Sequence, residues 1–455
     1  MDKVSLGCFG DERLAARGAA LLAAVESKRT LCLHRLGDDR NQTLSFGAFL
    51  ANPAVSAHEM MVTAGQRTDR QAAGRHVLAI MDTTEISFPT QTDRKRGFGT
   101  GGNGSDIGLF LHPVLAVDAA SGGILGLVDC TAINRTEGKA ADRKQRPADE
   151  KESRRWLDGA EIAGDRLTQA ATITVVADRE SDIYDLFACK PDNVHLLCRS
   201  AQPRLLTTGG LLPKHCTSLP ERDRTRIEVP AKGNRPARQA TVALRFGPIS
   251  LQRPNRPGAK GLPEAVALSV VDVQEVDPPA GAEPVCWRLL TTHPVATLAE
   301  ARQIVAWYRL RWIVEQVFRS MKSHCLDIET SQIETAGCFI KMAAIAMIAA
   351  TRAMQLVLAR DGTTEQPIAD AADPADLPAL RALNTSLEGR TEKLKNPYSE
   401  TTLAWFVWIV ARLGGWSGYT SKGYKPPGPK TMHHGLQRLD PILTGWRLAN
   451  HSAHV

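Results

Sequence analysis

The sequence predicts an α/β chain with a mostly β insertion and helical regions at both ends, and three observations carry that expectation. Two continuous apolar runs, residues 76–81 (HVLAIM) and 171–177 (ATITVVA), have the composition of strands buried on both faces. Each closes on an acid, Asp82 in the first case and Asp178 in the second. From residue 200 the character changes: Pro, Gly and Arg become frequent, and short alternating runs at 227–229, 240–246 and 265–273 point to strands. Helical patterning dominates the first 65 residues and the chain beyond 298.

At 455 residues the chain has room for two to four domains and an ample core. Its 43% hydrophobic and 23% charged content is that of a folded protein and excludes wholesale disorder. A net charge of +7 suits a polyanionic partner, but only weakly, because many proteins share it. The nine cysteines are odd in number and contain no CxxC pair, which argues against zinc sites and a disulfide framework and fits a reducing cytosol. The first residues, MDKVSLGCFGDERL, contain no apolar signal core, and the longest apolar run, 342–350, is too short to cross a bilayer.

Taken in order, residues 11–28 (DERLAARGAALLAAVESK) predict a helix with an acidic first turn. A second helix is expected over 45–50, ended by Asn52-Pro53, and a third from Ser56. Composition alone leaves two readings of these helices, a compact DNA-binding unit or a cap on the following domain, and favours the cap. Residues 93–106 (DRKRGFGTGGNGSD) lack the spacing of a phosphate-binding loop and read as a hairpin connection, with Arg94, Lys95 or Arg96 available to a phosphate. Residues 109–117 and 123–133 read as paired strands around an Ala-Ser-Gly turn. The dense charge over 134–156 reads as a solvated loop and helix start, leading into a helix over 150–169.

After the second acid-terminated strand, Ser181 is expected to cap a short helix running to Phe187, with a further strand over 194–199. Residues 286–292 (CWRLLTT) return to a buried strand. A helix over 335–360 is expected to pack beside the stretch 298–323, residues 361–376 to form an Asp/Pro/Ala-rich linker, and 401–413 to form a tryptophan-bearing helix before a turn-rich segment.

The stretch 298–323 (LAEARQIVAWYRLRWIVEQVFRSMKS) carries the chemistry. At 100° per residue Tyr308, Arg311, Glu315 and Lys322 fall within a sector of about 60°, while Trp307, Leu310, Val314, Val317, Phe318 and Met321 share an adjoining apolar sector. A carboxylate lined up with Arg, Lys and a phenol suits a place where metal ions and phosphates meet. The bland alternative is an ordinary i,i+4 ion pair on a surface helix. With Asp82 and Asp178, Glu315 completes a set of three hard oxygen ligands of the kind that selects Mg²⁺ or Mn²⁺. Asp182 and Glu180 read as capping or supporting groups, Glu85 as a surface charge, and the adjacent His433 and His434 as surface residues.

Three phrases, Asp82-Thr83-Thr84, Asp178-Arg179-Glu180-Ser181-Asp182-Ile183, and Y-x2-R-x3-E-x6-K from Tyr308 to Lys322, stand in the order and register found in the cut-and-paste DDE transposases of the fourth insertion-sequence family. FGDERLAAR and FLANPAVSAHEM likewise resemble the end-recognition domain of those enzymes, whereas the segment from Gly414 onward follows the broader family pattern. The resemblance implies a ribonuclease-H-like core and catalytic, metal-binding roles for Asp82, Asp178 and Glu315, with two Mg²⁺ ions that Mn²⁺ can replace. It implies DNA contacts by Tyr308, Arg311, Lys322 and Arg199, and stacking of a flipped base on Trp287. It further implies two-metal cleavage of DNA at terminal inverted repeats, a hairpin intermediate, transfer of 3′-OH ends to target DNA, and a homodimer that synapses two ends in the bacterial cytoplasm near the nucleoid. The expected layout is an end-binding domain at 1–65, a split core at 66–199 and 285–360, the insertion at 200–284, a linker at 361–375 and a dimerisation and DNA-contact region at 376–455. Two other readings remain open: a metal-dependent nuclease of the same fold without strand transfer, and a catalytically silent DNA-binding regulator.

Overall fold

The computed structural model describes residues 5–89, 94–136, 152–229, 236–256, 258–324, 326–419 and 425–451. Helix α1 (Glu12–Lys28) is capped by Asp11, whose carboxylate accepts the Arg13 N–H, and it is followed by the short α2 (Leu33–Leu36). Helix α3 (Arg40–Ala51) starts five residues earlier than the sequence suggests, because Asp39 caps it through the Gln42 N–H. Helix α4 (Ala57–Ala72) begins where expected, and the Ser56 hydroxyl caps it by accepting the Glu59 N–H. Strand β1 (His76–Met81) leads to β2 (Thr84–Ser87), the two-residue β3 (Gly99–Thr100), β4 (Ile107–Asp118) and β5 (Ile124–Ile133). Most of the charged loop expected over 134–156 lies outside the described residues.

Helix α5 (Arg154–Arg166), β6 (Thr172–Ala177), α6 (Tyr184–Cys189) and β7 (Val194–Arg199) follow. The insertion contributes α7 (Leu212–Ser218), absent from the sequence reading, then β8 (Asp223–Val229), β9 (Arg238–Gln252) and β10 (Ala265–Glu275). After β11 (Cys286–Thr291) come α8 (Leu298–Leu310), α9 (Trp312–Arg319), α10 (Ala336–Ala359), α11 (Leu377–Leu387), α12 (Leu403–Leu413) and α13 (Pro429–His451). The fold is mixed α/β.

The chain divides into two compact units, each discontinuous in sequence: Met1–Arg75, Thr83–Ala140 and Ile313–Val455 in the first, His76–Asp82 and Ala141–Trp312 in the second. In the second unit the strands run in the order β1-β6-β7-β11-β10-β9-β8. The pairs β1/β6 and β6/β7 are parallel and the remaining pairs antiparallel. Helix α5 lays Trp156, Leu157, Ala160 and Ala163 against β1, β6 and β7. An ion pair on the buried Asp272, Arg288 Nε to Asp272 Oδ1 at 3.0 Å, ties β11 to β10 across the register pair Asp272↔Arg288.

In the first unit β4 pairs with β2, β3 and β5. Helices α4 and α10 cover β5, and α10 also contacts α1, α3, α12 and α13. Helix α10 is long and apolar enough to span a membrane by composition, but its side chains are buried nearly all round, as in the central helix of a core. The α4–β5 contact is close: Thr68 Oγ1 donates to Leu127 O at 2.9 Å, and a Cβ on Gly126 would sit 2.3 Å from the Thr68 hydroxyl oxygen. Only glycine fits there.

Four expectations are corrected by this unit. The segment read as a linker is packed chain: Asp370 is buried and takes a two-point ion pair from Arg75 (2.8 and 2.9 Å), and Asp376 is buried against Arg447. Lys95 is not available to a phosphate, because its ammonium is buried over the Phe88 ring and donates to the Ser331 and Ile333 carbonyls at 2.7 Å each. His433 is buried, with Nδ1 donating to Glu26 O at 2.8 Å, while His434 is exposed as expected. Glu85 is half-buried and holds the Gly102 N–H at 2.8 Å, so it organises the glycine-rich turn.

Candidate active site

Strands β1 and β6 are adjacent, parallel and in the register Ile80↔Val176, so continuing both by two residues sets Asp82 opposite Asp178. The next pair, Ala177↔Cys198, places Arg199 one strand further along the same edge. Carboxyl ends of parallel strands carry sites because side chains there leave the sheet without a ladder neighbour beyond them. Both acids converge on one cation. Arg311 Nη1 donates to Asp82 Oδ2 at 2.6 Å, and Nη2 lies 3.9 Å from Asp178 Oδ2. The Arg311 side chain is 12% exposed, that of Asp82 17% and that of Asp178 35%.

Tyr308 is buried beside this group. Burial pushes its phenol above the ordinary value, with Asp178 acting the same way and Arg311 and Arg199 against it. The Trp287 ring meets the Tyr308 ring edge-on at 6.0 Å, and Arg199 Nη2 donates to Cys286 O, one residue before that tryptophan, at 2.8 Å. Six of the residues singled out from sequence, Asp82, Asp178, Arg199, Trp287, Tyr308 and Arg311, therefore lie on neighbouring elements of one unit.

Glu315 and Lys322 belong to the other unit by chain assignment. Glu315 stands in the first turn of α9. Lys322 donates to the Glu85 carbonyl and lies 3.3 Å from Glu329 Oε1. The single continuous helix expected over 298–323 is not what forms: α8 closes at Leu310, and residues Ser320–His324 make a π-helical turn. Because that turn closes i→i+5 bonds, a fixed 100° step cannot carry Lys322 onto the Tyr308–Arg311–Glu315 stripe.

The neighbouring acids have structural tasks. Asp182 is buried and accepts from the N–H groups of Ala201 (2.8 Å) and Gln202 (2.9 Å) and from Arg204 Nε (3.0 Å), fixing the turn after β7. Glu180 pairs with Arg155 at 2.6 Å. Ser181 does not cap α6: its hydroxyl donates to Asp178 O at 2.6 Å, tightening the turn that carries the acid, and α6 starts at Tyr184. Arg204, the counter-ion of Asp182, was absent from the sequence reading, since no local pattern links residues 22 apart in an irregular segment.

Among the described residues no cluster of three or more His, Cys, Asp or Glu side chains forms a ready metal site. The donor set at Asp82 and Asp178 nonetheless fits a hard divalent cation, which characteristically takes one or two carboxylates and completes its shell with water and phosphate oxygens. Both carboxylates already face a single guanidinium, at 2.6 and 3.9 Å.

Residues 73–351, more than half of the chain, match the family described as a transposase DDE domain, and that span runs through Asp82, Asp178, Arg311 and Glu315. With two strand-end aspartates facing one cation inside the matched span, the chain belongs to the DDE transposases, enzymes that act on DNA and in general use divalent metals.

Proposed function

We propose that this protein is a cut-and-paste transposase of the fourth insertion-sequence family with a ribonuclease-H-like core, and that Asp82, Asp178 and Glu315 are its catalytic acids. The observation that carries the reading is the register-matched pair Asp82 and Asp178 meeting at Arg311. In this reading the three acids hold Mg²⁺, or Mn²⁺ in its place. Two such ions, when bound, supply Lewis-acid activation of the attacking hydroxyl and stabilise the departing 3′ oxygen.

Arg311 offsets the repulsion between the aspartates when no other cation is bound, and turns to DNA phosphate when one is. Arg199, Tyr308 and Lys322 contact phosphates flanking the reacting bond. Trp287, half-buried and braced edge-on by Tyr308, offers an indole face to a displaced base, offsetting lost base stacking. Each step of the pathway, from end cleavage through the hairpin to strand transfer, is an in-line displacement at phosphorus, so one set of side chains serves all of them. The helices before residue 65 are assigned to the terminal inverted repeats, and the region from 376 to dimer contacts in a two-ended complex.

The test is Mg²⁺-dependent cleavage and joining of the element's own ends by the wild type beside Asp82→Ala, Asp178→Ala and Glu315→Ala. Cleaved and joined products from the wild type and none from the variants support the reading. Cleavage without joining would make the protein a nuclease of this family, and cleavage retained by any variant would remove that residue from the chemistry.

A further inference from the structure

The first unit holds a cavity of about 740 Å³, walled by α4, β5, α10 and the segment 367–374, and it contains none of the acids or DNA-contact residues assigned above. Four arginines reach its wall, and they are not equivalent. Arg75 is committed to Asp370, and Arg352 to Glu26. Arg67 and Arg70 line the same space, and no hydrogen bond or ion pair joins either to another described side chain.

Arg67 is the anomaly. Burial, then the neighbouring Arg352 and Arg70, push its guanidinium down to about 10, against the pull of Glu26. Gathering guanidinium groups in a partly desolvated space is unfavourable unless an anion joins them. A second orphan lies in the same wall: Thr351 is 2% exposed and its Oγ1 has no hydrogen-bond partner. Buried hydroxyls are nearly always satisfied, so an unsatisfied one beside unpaired cations marks a missing acceptor. Ile348, Leu356 and Phe406 give the remaining wall an apolar surface.

We infer that this cavity is a binding site for a phosphate-bearing ligand of up to nucleotide size, with Arg67 and Arg70 supplying the positive charge and Thr351 an O–H donor. The planar fork of arginine suits phosphoryl oxygens, which accept several charge-assisted hydrogen bonds at once. The volume is well beyond one inorganic phosphate and within the range of small-molecule sites. The apolar wall suits a base. The same phosphoryl group can come from a free nucleotide or from the backbone of DNA, and the experiment separates the two.

Full-length protein is titrated by calorimetry with pyrophosphate and with a deoxynucleoside monophosphate at low salt, in EDTA. Saturable binding is expected for the wild type and, unchanged, for Asp82→Ala, so failure of the catalytic reading and failure of this one are distinguishable. Arg67→Met and Arg70→Gln are each expected to weaken binding at least tenfold. Without ligand, Arg67→Met is expected to melt above the wild type, because it removes an unpaired, half-buried charge while keeping the volume; this also shows that the variant is folded. A short DNA duplex that competes with the nucleotide identifies the backbone as the source, whereas simultaneous binding identifies a free ligand. Absence of saturable binding, or equal binding by Arg67→Met and the wild type, overturns the site.

Discussion

Removing the cation that Asp82 and Asp178 share is the perturbation whose size the structure fixes best. Arg311→Ala leaves two carboxylates side by side on adjacent strands, one of them 17% exposed and the other 35%. Breaking a buried pair by deleting one partner costs about 3–5 kcal/mol, but water screens the more exposed Asp178, so a loss of about 2–3 kcal/mol is expected. For a unit of this size that is a fall of roughly 4–12 °C in the midpoint of its thermal transition. The assay is differential scanning calorimetry in EDTA near neutral pH, repeated with Mg²⁺. In the variant no guanidinium competes with the ion, so Mg²⁺ should restore more stability than it adds to the wild type, about 1.4 kcal/mol at ten times the dissociation constant. Adding Asp82→Asn to Arg311→Ala should cost less than the sum of the single changes, since the two residues share one interaction. The reasoning is refuted if Arg311→Ala is as stable as the wild type in EDTA, or if Mg²⁺ stabilises both proteins equally.

Asp182→Ala should destabilise the second unit by about 3 kcal/mol, because it strands Arg204 and two backbone N–H groups, and urea titration measures this. His433→Gln should flatten acid sensitivity. Burial pushes His433 down to about 4 from 6.5, so the unfolded chain binds more protons between those values and wild-type stability falls as pH drops across that window. Melting temperatures at pH 4.5 and 7 for both proteins, on the order of one unit of protonation apart, check the sign. Thr297→Ala should cost about 1 kcal/mol by opening the capping box in which Glu300 accepts the Ala296 and Thr297 N–H groups at 2.8 Å, seen as faster hydrogen exchange in the first turn of α8.

What could be read in the sequence was whatever depends on local pattern. The apolar runs ending in Asp82 and Asp178 are visible as strings, whereas their parallel pairing is not, since four strands and α5 lie between β1 and β6. The caps Asp11 and Ser56 and the length of α10 are equally local. Hidden were features decided by partners far away. Asp370 looks like linker composition until Arg75, 295 residues off, claims it. Lys95 looks like a free cation until Phe88 and two carbonyls enclose it. The π-helical turn at Ser320–His324 is one added residue in the helical path, and no propensity marks it. Glu315 was singled out by its spacing from Tyr308 and Arg311, which remains the argument for its role.

The interleaving of the two units along the chain has a consequence for synthesis. The polypeptide leaves the first unit at Arg75, returns at Thr83, leaves again at Ala140 and returns at Ile313. The second unit is fully translated once Trp312 has cleared the ribosome, whereas α1 and α3 must wait for α10, and α1 for α13 as well, to complete the cover of their apolar faces. Those early helices are thus the part of the nascent chain that most needs a chaperone. An N-terminal expression fragment that ends before Ile313 will lack more than half of the first unit.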